Sequence, residues 1–375
     1  MNFDFPDEMK ELREQAQKFL RERCTPAAAR SILEGPEPYH RELWQEMAGL
    51  GWTGVAIPEE YGGAGLGHLG ICVLAEELGY AIAPVPFSSS VYLAAEAILQ
   101  FGSTDQKERY LPQLASGEAI GTLALAERMG PVDAAKLTTT IADGRITGAK
   151  SLVPDGDVAD IAVVATRASG QAPTLHVVEL TGVGVSRSPI TTFDPSRSHA
   201  RIEFAAAPAD TLAGSEGATA IRKLLDRAAV MLAFEQVGGA QASLDMATEY
   251  AKSRYAFGRP IGSFQAIKHK LADVYVTTQL ARSNAYYGAW ALHTDSVELP
   301  VAASLARIGA TEAGWQSAKE NIQTHGGMGF TWQFDCHLYY RRAKLLGLAL
   351  GSAREWKHRL IDEMKLRNDP SPVAA

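Results

Sequence analysis

The sequence predicts an α+β chain in which two helical regions flank a smaller β-domain, and three observations carry that prediction. From residue 7 to about 117, apolar residues recur at spacings of three and four, as in Leu12, Phe19 and Leu20 and again in Leu43, Met47 and Leu50. Between about 118 and 212, β-branched runs alternate with turn residues. From about 216 onward, long helical periodicities return. This order divides the chain into 1–117, 118–212 and 213–375.

Each element has a local cause. Ser103 and Gln106 have capping-box spacing ahead of a helix expected over 107–116. Asp143-Gly144 separates two β-branched runs, 137–141 and 145–150, and reads as a hairpin turn. Further strands are expected over 161–165, 175–180 and 200–204, each bounded by Gly, Pro or Asp. Helices expected over 219–253, 264–294, 298–325 and 334–366 make a four-helix bundle. Tyr286, Trp290 and Trp315 fall at helical spacing and read as core or interface residues.

Composition narrows the function. The net charge of −7 is spread along the chain with both signs interleaved, so neither nucleic acid nor an anionic membrane is an expected partner. Cys24, Cys72 and Cys336 are far apart, which suggests neither a disulfide framework nor a zinc site. The first residues have neither a secretory apolar core nor the Arg-rich character of a transit peptide, and no stretch reaches ~18 apolar residues. A soluble, cytoplasmic protein is expected.

Two segments between long helices carry the chemistry. Residues 254–265 contain Arg254, Phe257, Gly258, Pro260, Gly262, Phe264 and Gln265. An arginine, a glycine-proline-glycine turn and an aromatic beside an amide suit a cofactor that bears phosphate and a ring, since a guanidinium binds phosphate oxygens as a fork. An ordinary inter-helix loop fits those residues about as well. Residues 323–330 contain Gln323, Thr324, His325, Gly326 and Gly327. Paired glycines admit another backbone or a ligand and also end a helix. A plain glycine cap explains one segment but not both.

With these and other segments in order, the chain resembles the acyl-CoA dehydrogenase family over nearly its whole length. The resemblance rests on residues 58–63 (PEEYGG), 105–112 (DQKERYLP), 148–150 (GAK), 254–265 and 323–329. It implies a helical N-terminal domain, a central β-barrel and a C-terminal four-helix bundle. It implies FAD as cofactor, with Arg254, Phe257, Phe264, Gln265, Gln323, Thr324, Gly326 and Gly327 contacting the diphosphate and adenosine of an FAD held mainly by a neighbouring subunit. The residues near 254 and those near 323–327 are expected from different protomers. Leu125 and Ala126 stand at the family's flavin-contacting strand. An acyl-CoA substrate, an electron-transfer flavoprotein-like acceptor and a homo- or hetero-oligomer are implied with them. The family reaction removes a proton beside the thioester carbonyl and a hydride from the next carbon, and the protein contributes alignment, polarisation and one glutamate base.

The sequence departs from the family at the redox half of the site. Leu350 stands where the usual glutamate would be, and Ala228 stands where some members carry the base instead. Glu235 lies two helical turns from Ala228 on the same apolar stripe and is the one candidate base, with a paired structural acid as its alternative. Ala126 and Val132 replace hydroxyls expected to bond the flavin and the acyl-CoA, and 152–154 (LVP) replaces an aromatic-threonine pair. His325 sits within the cofactor-type loop, and Arg341 and Arg342 either meet phosphate or form a solvated face. Three functions follow: a dehydrogenase active alone, a silent subunit completing the FAD site of a related chain, and a flavin monooxygenase or oxidase on the same fold.

Overall fold

The computed structural model describes residues 5–168 and 170–368. The chain opens with α1 (Asp7–Arg23), α2 (Pro26–Glu34), α3 (Arg41–Gly49) and α4 (Gly67–Tyr80). A π-helical segment, Ser88–Ala95, runs into α5 (Glu96–Phe101), and α6 (Thr104–Ala115) follows. The expected capping box starts α6: Gln106 donates its amide to Ser103 Oγ at 3.2 Å, and Ser103 donates its own to Gln106 Oε1 at 3.0 Å. Eight consecutive π-helical residues are uncommon in any fold, and all of these are buried.

The middle of the chain forms β1 (Gly121–Ala124), β2 (Thr140–Ala142), β3 (Arg145–Pro154), β4 (Ile161–Arg167), β5 (Pro173–Glu179), β6 (Val185–Pro189), β7 (His199–Pro208) and β8 (Asp210–Thr211). These make two four-stranded sheets, ordered β1-β4-β5-β8 and β2-β3-β7-β6. The expected closed barrel is therefore corrected to two separate sheets. The side-chain pattern gives the reason. Residues 161–165 of β4 are all buried, so this strand has no solvent face. Ala200, Ile202 and Phe204 of β7 point inward while their neighbours are exposed, so the second sheet has one wet face. Asp143-Gly144 makes the expected hairpin turn, with φ of 50° and 68°, between β2 and β3.

The C-terminal helices are α7 (Ala218–Ser253), α8 (Gln265–His293), α9 (Leu299–His325), α10 (Cys336–Leu348) and α11 (Ala353–Asn368). The single last helix expected over 334–366 is thus two helices, broken where Leu350 and Gly351 take φ of 59° and 101°. Arg307 fixes that break. Its fully buried guanidinium donates to the carbonyls of Leu346 and Ala349, and burial pushes its pKa down to about 9. A cation on the orphan carbonyls at the end of α10 stabilises the helix terminus. Beyond the break, Ser352 and Glu355 form a second capping box, with Ser352 donating its amide to Glu355 Oε2 at 2.8 Å.

Two glycines let α4 and α7 touch backbone to backbone. A Cβ at Gly79 would lie 1.9 Å from the Glu235 carbonyl oxygen, and one at Gly238 would lie 1.9 Å from that of Glu76. Neither obstacle is a flexible side chain. Gly238→Ala is expected to cost about 3 kcal/mol or more in urea unfolding, and a loss under about 1 kcal/mol would show that the helices separate freely.

Candidate functional site

The residues of the two sequence-predicted segments, 254–265 and 323–327, gather at one pole of the bundle. Arg254 caps the end of α7, and the next residues form a short hairpin, β9 (Tyr255–Ala256) and β10 (Arg259–Pro260). Its two-residue turn is Phe257-Gly258, with φ of 52° and 77°. An aromatic residue at positive φ is strained, and Phe257 is 95 % exposed, so its side chain buries little surface in return. Phe257 lies edge-on to Phe264 at 6.2 Å, and the Arg259 guanidinium sits 4.1 Å from the centre of the Phe264 ring. Gln265 then opens α8, whose N-terminus has no side-chain cap.

The second segment reaches the same pole because α8 and α9 run antiparallel. Lys270 and Glu320 join them at 3.3 Å, which sets the start of α8, with Gln265, and the end of α9, with Gln323, at the same end of the pair. Tyr250, one turn before Arg254, stacks on His325 at 4.0 Å. Both segments therefore lie at one pole of the same chain, close enough for a single protomer to supply both.

The residues at the pole divide into occupied and open ones. Thr324 is buried with its hydroxyl on the Glu320 carbonyl at 2.7 Å, and His325 is buried with Nδ1 at 2.9 Å from the Asn321 carbonyl. Burial pushes the His325 pKa down. Both are part of the helix end. The side chains of Arg254, Gln265 and Gln323 are exposed and make no hydrogen bond or ion pair among the described residues. Gly326 needs its glycine for φ of 61°. Gly327 has no positive φ, and a Cβ there would meet nothing within 4 Å, so its missing side chain matters only to something outside the chain. An unpaired guanidinium, two free amide side chains, an uncapped 29-residue helix and an open glycine pair together fit the diphosphate of a dinucleotide.

Leu125 and Ala126 lie apart from the pole, where the chain leaves β1. The Leu125 carbonyl accepts from Lys150 Nζ at 3.2 Å, and the Ala126 carbonyl accepts from the Ser151 amide at 2.8 Å. Lys150 is fully buried and also donates to Glu127 at 2.9 Å. Burial lowers the Lys150 pKa to about 8, against the pull of Glu127. Burial raises that of Glu127, but the amide of Thr139, Lys150 and both donors of Thr138 outweigh it and hold it at about 2. Both groups are thus charged near neutral pH, and the pair locks the strand exit in one path.

Glu235 sits at the meeting point of all three regions. Its Oε1 is 3.2 Å from Arg197 Nη1 and 3.9 Å from Arg342 Nη1. Arg197 also lies 3.5 Å from Asp155 and donates to Ser88 of the π-helical segment, while Ser89 donates to Asp155 at 2.6 Å. Arg342 is held by Asp194 at 2.7 Å and Ser196 at 3.0 Å. Burial lowers the Arg197 pKa, but Asp155 and Glu235 more than offset it and the guanidinium stays charged. The candidate base is therefore an ion-pair partner. Ala228 is fully buried, and Leu350 occupies the turn before α11 with its carbonyl accepting from Trp356 Nε1 at 3.1 Å. Sequence reasoning found Glu235 but missed Arg197, which lies in the loop before β7 and has no periodic signal to mark it. It missed Glu355 as well, whose carboxylate is spent on the cap of α11.

Two helical regions flank a pair of four-stranded sheets, and the long-helix bundle carries an open pole whose unpaired polar side chains suit the diphosphate of a dinucleotide. Residues 6–118 match the family model for the acyl-CoA dehydrogenase N-terminal domain, and residues 215–361 match that for the C-terminal domain. The chain is 36 % identical over 360 residues to the acyl-CoA dehydrogenase IpdE2 of Mycobacterium tuberculosis, covering 96 % of this chain and 98 % of that one. A variant of the Tcur3481-Tcur3483 steroid ACAD superposes with a TM-score of 0.88 at 32 % identity, covering 96 % of this chain and 99 % of that one. The ChsE4-ChsE5 complex from Mycobacterium tuberculosis superposes with a TM-score of 0.89 at 29 % identity, covering 99 % and 100 %. The chain belongs to the acyl-CoA dehydrogenase family, whose cofactor is FAD. Among the described residues, no helix is long and apolar enough to cross a membrane, and no cluster of metal-ligating side chains occurs.

Proposed function

We propose that this chain serves the α,β-dehydrogenation of an acyl-CoA thioester as one subunit of a heteromer. Its bundle pole clasps the dinucleotide of an FAD held mainly by a related chain, and that chain carries the catalytic base. One contrast supports this reading: the pole is open and unpaired, while both positions for a base are apolar and Glu235 is bound to two guanidiniums. The two-chain relatives, Tcur3481-Tcur3483 and ChsE4-ChsE5, give the arrangement precedent. Farther along α8 from the pole, exposed Tyr275, Val276 and Leu280 add an apolar surface of the kind that another chain covers.

When bound, FAD supplies the hydride acceptor. Arg254 supplies the fixed positive charge opposite the diphosphate, Gln265 and Gln323 donate from either side, and Gly327 leaves room for the backbone to approach. Arg254→Ala in the assembled protein is expected to weaken FAD retention about 10- to 100-fold, the size of one lost charge-assisted contact. Flavin content is read by absorbance after dialysis. Undiminished retention would remove the pole from the cofactor site.

A further inference from the structure

We propose that a strip of alternating cations and aromatic rings along α10 is the surface on which the partner chain docks, and that it selects a partner whose facing surface is rich in carboxylates. The proposal rests on the heteromer reading and adds to it the chemistry of partner choice.

The strip starts where the pole ends. Phe330 is 84 % exposed, and Trp332, two residues on, is 51 % exposed. Arg30 of α2 lies 5.8 Å from the Trp332 ring and donates to its carbonyl at 2.7 Å. Arg341 lies 5.6 Å from Trp332 and 5.1 Å from Phe193, and donates to the Phe193 carbonyl at 2.8 Å. Phe193, itself 55 % exposed, meets Tyr340 at 6.3 Å, Tyr340 meets Trp315 at 4.8 Å, and Lys344 Nζ lies 3.3 Å from the Trp315 ring centre. Segments far apart in the chain thus build one continuous surface.

Its charge is only partly compensated. Arg30 is neutralised by Asp335 at 2.6 Å and Glu34 at 3.4 Å, but Arg341 and Lys344 make no ion pair among the described residues. His337 stacks on Trp332 at 4.5 Å with both ring nitrogens unpaired, and burial, then Arg30 and Arg341, push its pKa down, so it adds no further cation. Arg30, Arg341 and Lys344 against Glu34 and Asp335 leave one net positive charge on the strip, carried at its Arg341–Lys344 end, on a chain whose net charge is −7. Rings against guanidiniums are the composition that dominates interface hot spots. Cations already lie over the rings of Trp332, Phe193 and Trp315, so a stacked nucleobase finds its place taken, whereas a carboxylate can meet Arg341 Nη2 and Lys344 Nζ, which make no hydrogen bond among the described residues. A partner that brings its FAD to the pole necessarily covers Phe330, and the strip continues from there.

The test is co-expression with a related acyl-CoA dehydrogenase chain from the same genome, chosen because it has a glutamate at the position aligned with Leu350 or Ala228. Arg341→Glu with Lys344→Glu is expected to lower the recovered partner at least about 10-fold at low salt, since like charges facing each other across an interface are strongly disfavoured. The melting temperature of the isolated variant should stay that of the wild type. If the double reversal melts lower, Arg341→Gln with Lys344→Gln is used, and a smaller loss of partner in the same direction supports the proposal. Wild-type recovery by the reversed chain overturns the docking surface and leaves the heteromer intact. A wild-type chain that recovers no partner, but forms a homodimer of full activity, overturns both.

Discussion

Arg197→Met should lower the unfolding free energy by about 3 to 5 kcal/mol, the usual cost of removing one member of a buried ion pair. The side chain is buried and spans three regions at once: Ser88 in the π-helical segment, Asp155 between β3 and β4, and Glu235 on α7. Methionine fills similar volume but leaves two buried carboxylates short of a counter-charge. Asp155 keeps Ser89 at 2.6 Å, and Glu235 keeps Arg342 at 3.9 Å and the neighbouring Tyr92 hydroxyl, so Glu235 loses its nearest cation and bears most of the loss. Arg197→Met combined with Glu235→Gln should cost less than the sum of the two single changes by at least about 1 kcal/mol, because the second removes the charge that the first exposes. Thermal unfolding should broaden in the single variant as the regions lose their common tie. A loss below about 1 kcal/mol would mean that water reaches this junction and that the three regions are held together by apolar packing alone.

The parts of this structure that were legible in the sequence are those set by local rules. The cap at Ser103 and Gln106 and the turn at Asp143-Gly144 are decided within four residues, and both formed as expected. The run 161–165 could be read as a strand, but its burial on both faces depends on what covers the sheet, so two sheets and one barrel looked alike in sequence. The break at Leu350 hid for a similar reason. Its cause, Arg307, lies 39 residues upstream of Leu346, and only the fold brings that guanidinium to the end of α10. The pole was visible as two glycine-bearing segments, whereas their meeting at one pole of the chain follows from the antiparallel run of α8 and α9. Glu235 stood out as an acid on an apolar stripe. Its partners, Arg197 and Arg342, come from a loop and from another helix, and sequence spacing says nothing about such encounters.

Purified without a partner, the chain should leave an added acyl-CoA unchanged, and co-assembly with the base-bearing relative should raise turnover by about 10²- to 10⁴-fold, the range a positioned general base contributes. The argument turns on what a base must do. It has to approach the acidic carbon and take its proton, and Glu235 can do neither without breaking its contacts to Arg197 and Arg342. Taking a proton would also leave two buried guanidiniums without their shared counter-charge. Ala228 and Leu350 have no proton acceptor to offer. Glu235→Gln made in the assembled protein therefore separates the roles. Its melting temperature should fall, since the buried arginines lose a partner, while kcat measured well below that temperature stays within about twofold. The opposite pattern, a lone chain that turns over at the rate of the assembly and loses at least about 10² in kcat on Glu235→Gln, would identify Glu235 as the base and make the ion pairs a resting state that substrate opens.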